Sequence, residues 1–525
     1  MLWIALHLPL LSLEAFVATL PGAPDGGDAR PDTSPTDGIA VALVAAHHVT
    51  AANSAAEARG VRAGQKRATA LALVPGIVLG EAAPRRDRLA AVAVGHAALA
   101  FTPSVCFEPA GSDGADADEA PHTVLLEVEA SLRYFGGLRR LLQRLRVALA
   151  PLGHRVHCGT APTALGATLL ARLPQPSQGR HAADADGLAQ RLDDAPVWLV
   201  GPGREHWDAL QGMGLRTLSD LVRLPRAGLA RRFGERLLDE LDRAYGRRPD
   251  PRDWLTVPEV FGSRLELFAR ADTTEQVLQG AAVLLSRLVA WCQAQHAQVR
   301  RFSLLMQHES RHRHDATTPT DSRLDVALAE PSADAAHLLV LLRERLAQLQ
   351  LVAPTLELRL HCADVARRGP PNRELFPTPT TQREGLVRLI ERLQARLGAE
   401  RVQRLVRLED HRPEYATCLQ PADAAIAQAR PRPAPPRPTS HPVWLLTEPL
   451  ALAEHRSRPL LDGRPLQLLS GPERIESGWW DGDLAERDYF VAQTVDGSLV
   501  WLYRGRLPDA ASGELPGWFL HGRFG

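Results

Sequence analysis

Carboxylates, imidazoles and thiols are the side chains of this chain that could hold a metal or move a proton, and they fall into a few groupings. Glu127 and Glu129 stand two apart in an apolar run, so on a strand they would share a face. Paired carboxylates can hold a hard cation, but nothing in the sequence brings a third one to them. The run GSDGADADEA at 111–120 precedes that strand and offers Asp116, Asp118 and Glu119 as further oxygen ligands. Its composition reads as a solvated hairpin loop. His308, His312 and His314 cluster with Asp315 in another loop, where no rigid helix sets the ligand geometry that zinc requires. Asp481, Asp483 and Asp488 could be taken for a metal site and read instead as turn and surface residues. Cys106, Cys158, Cys292, Cys362 and Cys418 show no CxxC spacing and read as free cytosolic thiols.

The elements that must position these groups belong to a long chain. At 525 residues it exceeds one domain, and 45% hydrophobic content supports several ordinary cores. A net charge of +0 means that any nucleic-acid-binding face has to be local. The apolar N-terminus, Leu2 to Leu20, contains His7, Pro9 and Glu14 and lacks a basic flank. It reads as strand plus helix, not as a signal peptide or membrane span, which predicts a cytoplasmic protein with no membrane partner.

Within His122–Gly137, Leu125, Leu126, Val128 and Leu132 are strand-type apolar residues. Phe135-Gly136-Gly137 then turns the chain into a helical run, Leu138–Leu149. Residues 21–38 form a turn-rich insert with nothing to bury, read as a mobile loop. Ala40–Ala46 is a short apolar strand, followed by Gly60-Val61-Arg62-Ala63-Gly64 and an alanine-rich helix ending near Pro75. From Val197 helices take over. Thr217 with Asp220 three residues on is a capping-box-like start, and a second hairpin runs through Leu224-Pro225 to Phe233-Gly234. Paired helix–hairpin–helix units aim helix N-termini and glycine amides at DNA phosphates, and Arg223, Arg226, Arg231, Arg232 and Arg236 surround these two.

Residues 258–365 alternate between strand and helix periods. Leu265 and Leu267 alternate; Val277, Ala281, Leu284, Leu288 and Trp291 recur at helical spacing. Phe302, Leu304 and Met306 alternate again, then Leu324, Val326 and Leu328. A second helix runs through Leu338, Leu342, Leu346 and Leu349, and Leu356, Leu358 and Leu360 close the set. That order is βαββαβ, the split ferredoxin-like motif, with a basic edge at Arg300, Arg301, Arg311 and Arg313. Gly385–Leu397 is a further amphipathic helix. Residues 421–442 are a stiff proline-rich linker, and a tail with Trp444, Trp479, Trp480, Trp501 and Trp518 follows. Its Asp496-Gly497 signals a type I′ hairpin turn.

Several of these stretches resemble the Y-family (UmuC/DinB-like) DNA polymerases: Ile4–His7 leading into Ser12-Leu13-Glu14, Leu126-Glu127-Val128 with its Phe-Gly-Gly turn, and Gly214-Leu215-Arg216-Thr217-Leu218. The resemblance implies an α/β multidomain architecture. Palm and fingers would span 1–195, a thumb 196–256, a βαββαβ little finger 257–366, a clamp-binding peptide and helical extension 367–420, the linker 421–442 and a partner-binding domain 443–525. Aligned on those motifs, the family's metal-facing carboxylates fall at Ala5, His7, His122 and Thr123, and its triphosphate-touching tyrosine and arginine at Ser54 and Glu57. Two-metal phosphoryl transfer needs carboxylates; alanine offers no ligand, threonine a weak one, and histidine suits magnesium poorly. A carboxylate at 57 would repel a triphosphate.

The resemblance extends to the family's non-catalytic homologues in bacterial mutagenesis cassettes. It rests on the empty metal positions, on Asp410-His411-Arg412-Pro413-Glu414, and on the C-terminal strings from Glu473 to Asp481, Arg487 to Phe490 and Trp518 to Gly522. Catalytic members lack that tail. What it implies is an adaptor in SOS-type translesion synthesis with no cofactor, gripping primer–template DNA through the thumb arginines together with Arg300 and Arg301. Asn372, Leu375 and Phe376 would bind the beta sliding clamp, and Trp479, Trp480, Trp501 and Trp518 would serve partner binding. The implied partners are the RecA-like ImuA protein and an error-prone DnaE-type polymerase. Two other readings predict different behaviour: an active translesion polymerase with ligands relocated to Glu127, Glu129 and the 113–119 loop, and a stand-alone DNA-binding repair factor.

Overall fold

The computed structural model describes residues 1–20, 39–108, 120–174, 179–309, 320–367, 379–422, 441–506 and 517–524. The insert 21–38, Asp116, Asp118, Glu119, Arg311, His312, Arg313, His314, Asp315, the peptide Asn372–Phe376 and the prolines 431–438 lie outside the described residues. The chain divides into two compact units, Met1–Thr381 and Gln382–Gly525.

The first unit opens on a four-stranded antiparallel sheet. Its order is Val105–Phe107, Thr123–Glu127, Trp3–His7 and His157–Ala161, so the N-terminal strand is central. Helices cover both faces, which is why Val124 to Leu126 is a continuous buried run and not an alternating one. Ile4, Leu6, Val124 and Leu126 pack under the helices Pro84–Leu99 and Leu138–Leu149. Trp3, Ala5 and Leu125 pack under Ala164–Arg172. The strand ends sooner than the apolar pattern suggests. After Glu127 the chain enters a 3₁₀ turn at Glu129–Ser131 and a short helix at Leu132–Phe135, so Val128, Glu129 and Leu132 are not strand residues. Leucine fits a helix as well as a strand, and Gly136 and Gly137, at φ of 74° and 101°, close that helix.

A three-stranded sheet of His48–Ala52, Val41–Ala45 and Val78–Glu81 carries the helices Ser54–Ala58 and Arg67–Leu73. Six short helices span Ala185–Ala244, and the Thr217–Asp220 capping box is formed in both directions. Residues 261–367 then fold in the expected βαββαβ order, with strands Phe261–Ala271, Ala297–His308, Asp321–Ser332 and Thr355–Arg367. In the sheet, Ala297–His308 lies between Asp321–Ser332 and Thr355–Arg367. Arg300 and Arg301 therefore sit on an inner strand and not on an edge. They reach solvent because the pairing register breaks beside them on both neighbours. A bulge after Thr355 also turns Leu356 outward and leaves Glu357 buried, against simple alternation. The helix Thr274–Ala294 is long and apolar enough to cross a membrane, but its Leu284, Leu288 and Trp291 are core residues of this fold.

The second unit holds the helix Pro379–Leu397, the hairpin Gln403–Arg407/Thr417–Pro421 and a seven-stranded sheet. That sheet runs Arg464–Pro465, Arg458–Leu461, Trp444–His455, Trp518–Arg523, Leu499–Gly505, Ala485–Gln493 and Gln467–Ser477. The turn at Asp496-Gly497 is not type I′. Only Gly497 has a positive φ, and the Gly497 amide donates to the Thr494 carbonyl at 3.0 Å, the pattern of a longer loop closed by a left-handed glycine.

Candidate functional site

The sheet register brings three of the four aligned positions, His7, His122 and Thr123, to one end of the central strand. His7 lies opposite Thr123 on one side and His157 on the other, and His122 directly precedes Thr123. His7 Nδ1 and Thr123 Oγ1 are 3.2 Å apart, and His122 Nδ1 is 3.3 Å from the Leu8 carbonyl. Burial pushes the His7 imidazole down to about 3, helped by the nearby Arg172 guanidinium and by His122 and His157. His7 is therefore neutral at ordinary pH. Burial and then Arg180 and Arg155 also lower His157. Glu108, a carboxylate of the neighbouring edge, is paired with Arg172.

Ala5 is sealed. Its neighbours across the sheet are Leu125 and Gly159, and it has no exposed surface. The helix above lies so close that a Cβ on Gly159 would meet the Ala167 carbonyl oxygen at 2.3 Å and the Ala171 amide at 2.6 Å. Ala161, Ala164, Ala167 and Ala171 complete an apolar cluster around position 5. A carboxylate there would lose its water and gain no partner. Imidazole, hydroxyl and methyl groups beside a guanidinium do not make a site for a pair of hard divalent cations.

Among the described residues, the acidic side chains that could have replaced the ligands, Glu127 and Glu129, are occupied elsewhere. Glu127 accepts the Leu2 amide at 3.4 Å and the Glu129 amide at 3.1 Å, and Glu129 pairs with the N-terminal amine. Glu127 is four residues along the strand from Thr123, about 13 Å at ~3.3 Å per residue. Ser54 and Glu57 lie exposed on one short helix. His308 is buried on its strand, with Nε2 2.7 Å from Ser322 Oγ and Nδ1 3.3 Å from Thr355 Oγ1, so both ring nitrogens are satisfied. Among the described residues no group of three or more His, Cys, Asp or Glu side chains could hold a metal ion.

The arginines of the helical region separate into two kinds. Arg226 forms a two-pronged pair with Asp242, one contact at 2.9 Å, and Arg236 lies 3.4 Å from Glu205 and 3.6 Å from Glu240. Arg223, Arg231 and Arg232 carry no such brace, and Arg231 is exposed. The amides expected to face phosphate are already used. Those of Arg216 and Thr217 donate to Asp220, that of Leu218 to the Ala195 carbonyl, and those of Gly214, Gly228 and Gly234 to carbonyls within their own turns. Contact with an anion would fall to the side chains. Sequence reasoning missed a further set. Arg264, Arg323 and Arg359, with Arg85, line a groove of 680 Å³ on the open face of the four-stranded sheet, each paired with an acidic neighbour on its own strand, Glu266, Asp325 and Glu357. The signal was present, since each precedes or follows an inward leucine: Leu265, Leu324 and Leu358.

In the second unit the tryptophans divide. Trp479 and Trp480 are 78% and 53% exposed and meet edge to face at 5.5 Å. Trp501 and Trp518 are core residues, so neither can belong to a docking surface in this fold. Trp501 stacks on Tyr489 at 4.0 Å, and the Tyr489 hydroxyl is 2.8 Å from His521 Nδ1. Asp481 and Asp483 face an arginine and not a metal. Arg412 reaches Asp481 Oδ1 at 3.1 Å, the Asp483 carbonyl at 2.9 Å and Asp410 at 2.8 Å. Asp488 pairs with Arg474 at 2.8 Å. Glu414, two residues beyond Arg412, accepts from Arg487 at 2.9 Å. The segment 410–414 is thereby bound into the fold of the C-terminal sheet.

No family model matches the chain. Protein ImuB of Caulobacter vibrioides, found in two strains, is 28% identical over 492 residues, covering 89% of this chain and 100% of that protein. Among solved structures, a Dbh ternary complex with partially disordered substrates is 16% identical, covering 70% of this chain and 99% of that one, with a TM-score of 0.37. An insertion ternary complex of Dbh DNA polymerase is 14% identical over 69% and 98%, with a TM-score of 0.38. DinB from Sulfolobus solfataricus is 15% identical over 69% and 98%, with a TM-score of 0.36. The similarity to Protein ImuB runs along the whole length of that relative and through 89% of this chain.

Proposed function

We propose that this chain is a non-catalytic polymerase homologue that serves as an adaptor in damage-induced (SOS) translesion synthesis. In this role it binds primer–template DNA and the sliding clamp, works with the RecA-like ImuA protein and recruits an error-prone DnaE-type polymerase that performs the synthesis. One observation carries the non-catalytic part. Ala5 is closed off beneath an alanine-lined helix, while His7 and Thr123 bond to each other where carboxylates would have to converge. Duplex DNA would be held by Arg223, Arg231, Arg232, Arg300 and Arg301, with Arg264, Arg323 and Arg359 on the open sheet face. Arg226 and Arg236 would instead brace the helices that carry the first three.

The adaptor part is tested at the clamp. Leu375 and Phe376 entering an apolar pocket would contribute roughly 1.5–3 kcal/mol each, and Asn372 an amide hydrogen bond of about 0.5–1.5 kcal/mol. Calorimetry of clamp binding should show Leu375→Ala/Phe376→Ala weakening the association by roughly two to four powers of ten. DNA binding should persist. Equal clamp affinity of a folded double variant would remove the clamp contact from this account. Failure of a DnaE-type polymerase to co-purify with the full chain from damaged cells would favour a stand-alone DNA-binding factor.

A further inference from the structure

Between Glu129 and Asp184 the sequence has eight arginines and no acidic residue, in a chain whose charges as a whole balance to +0. Four of these, Arg139, Arg140, Arg144 and Arg146, lie on the helix Leu138–Leu149. Leu141, Leu145 and Leu149 bury one side of that helix against the palm-like sheet. The opposite side faces outward and carries the four arginines, Gln143 and Val147. At about 1.5 Å per residue, Arg139 to Arg146 spans about 10 Å, the reach of two or three successive phosphates. Directly before the helix, Arg133 is exposed and the Tyr134 ring is 82% exposed. Tyr134 meets Phe135 edge to face at 4.9 Å, and the Arg144 guanidinium lies over the Phe135 ring at 5.7 Å. The phenol ring and the arginine row thus form one continuous surface.

That surface does not belong to the site already described. The helix packs on the Ile4 and Leu6 side of the sheet, whereas Ala5 faces the helix Ala164–Arg172 on the other side. We propose that the outer face of Leu138–Leu149, with Arg133 and Tyr134, is a second DNA-binding surface that takes a single strand on the side of the sheet away from His7. The proposal rests on the DNA-binding reading above for its choice of DNA. Charge complementarity calls for a polyanion, and guanidinium forks match phosphate oxygens two at a time. An open aromatic ring beside a cationic row is what a single strand uses, because unpaired bases can stack on it. A protein partner would need an apolar centre, and on the helix itself this face offers Val147 alone.

The experiment uses the full chain, a labelled oligo(dT) of about 15 nucleotides and a blunt duplex, with affinity followed by anisotropy against salt. The triple variant Arg139→Ser/Arg140→Ser/Arg144→Ser removes charge from the outer face and leaves the buried leucines in place. It should bind oligo(dT) at least about tenfold more weakly and flatten the log–log salt slope by about 2, at ~0.7 for each phosphate no longer neutralised. Duplex binding should stay within about twofold of wild type. Tyr134→Ala should weaken oligo(dT) by about fivefold or more without changing the slope, since stacking is not ionic. The corresponding triple lysine variant should keep most of the slope, which separates removal of charge from damage to the fold. Unchanged oligo(dT) affinity and slope in the serine variant would overturn the proposal and leave the face to an acidic protein. Loss of oligo(dT) binding only in a variant lacking Arg231, Arg232, Arg300 and Arg301 would also overturn it, while leaving the duplex reading intact. Loss of duplex binding alone in that variant would support two separate surfaces.

Discussion

His7 shows how an imidazole at the end of the central strand can serve the fold. Its folded pKa of about 3 lies below the ordinary 6.5 because burial and neighbouring cations disfavour the imidazolium. The unfolded chain therefore binds a proton at this residue between about pH 6.5 and 3 that the folded chain does not. Stability should fall as pH drops through that window, and the loss from His7 should be absent above it. Urea unfolding at pH 7 and pH 5 should differ by about 2 kcal/mol more in wild type than in His7→Gln. Equal pH dependence of the two proteins would show that His7 is not held neutral. Position 5 makes the complementary case. Ala5→Asp would bury a carboxylate among Leu125, Ala164, Ala167 and Ala171, and should destabilise by about 3 kcal/mol or more in thermal unfolding. An Ala5→Asp variant as stable as wild type would mean that the site is more open than described.

At the level of elements, one close approach holds the arrangement together. The helix Ala164–Arg172 can lie on the strand His157–Ala161 because Gly159 has no side chain. Gly159→Ala should push the helix outward and destabilise by about 1–3 kcal/mol, measured as a lower urea midpoint at unchanged m-value. Periodicity makes much of this level legible. The βαββαβ order can be read from alternating and helical leucines, and the Thr217 cap from two residues three apart. What periodicity misses follows from physics that acts across strands. The bulge that exposes Leu356 depends on how Thr355 pairs with two neighbours. That the strand ends before Glu129 is hidden because both faces of the sheet are covered, which removes the alternation that marks where a strand ends. The capping box is plain in the sequence, but its consequence is not. Asp220 takes the amides of Arg216 and Thr217, so the helix start is closed to phosphate.

Across the whole chain, the features hardest to read are those joining distant segments. Arg412 meets Asp481 and Asp483 across about seventy residues, and no spacing rule connects them. The same holds for the tryptophans. Trp479 and Trp501 look alike in sequence, and the fold puts one in solvent and the other in the core. Arg412→Gln should leave Asp410, Asp481 and Asp483 facing one another without a cation, so the tryptophan emission of the second unit should shift at lower denaturant than in wild type. An unchanged midpoint would assign the clasp no stabilising role. For the first unit, the proposed function requires that the sheet end at His7, His122 and Thr123 hold no catalytic metals. Its most direct test is nucleotide incorporation by the purified full chain, in excess over a labelled primer–template, with magnesium and separately with manganese. The account predicts no template-directed extension with either metal while the DNA remains bound. Extension that survives purification and disappears on Glu127→Gln/Glu129→Gln would contradict it.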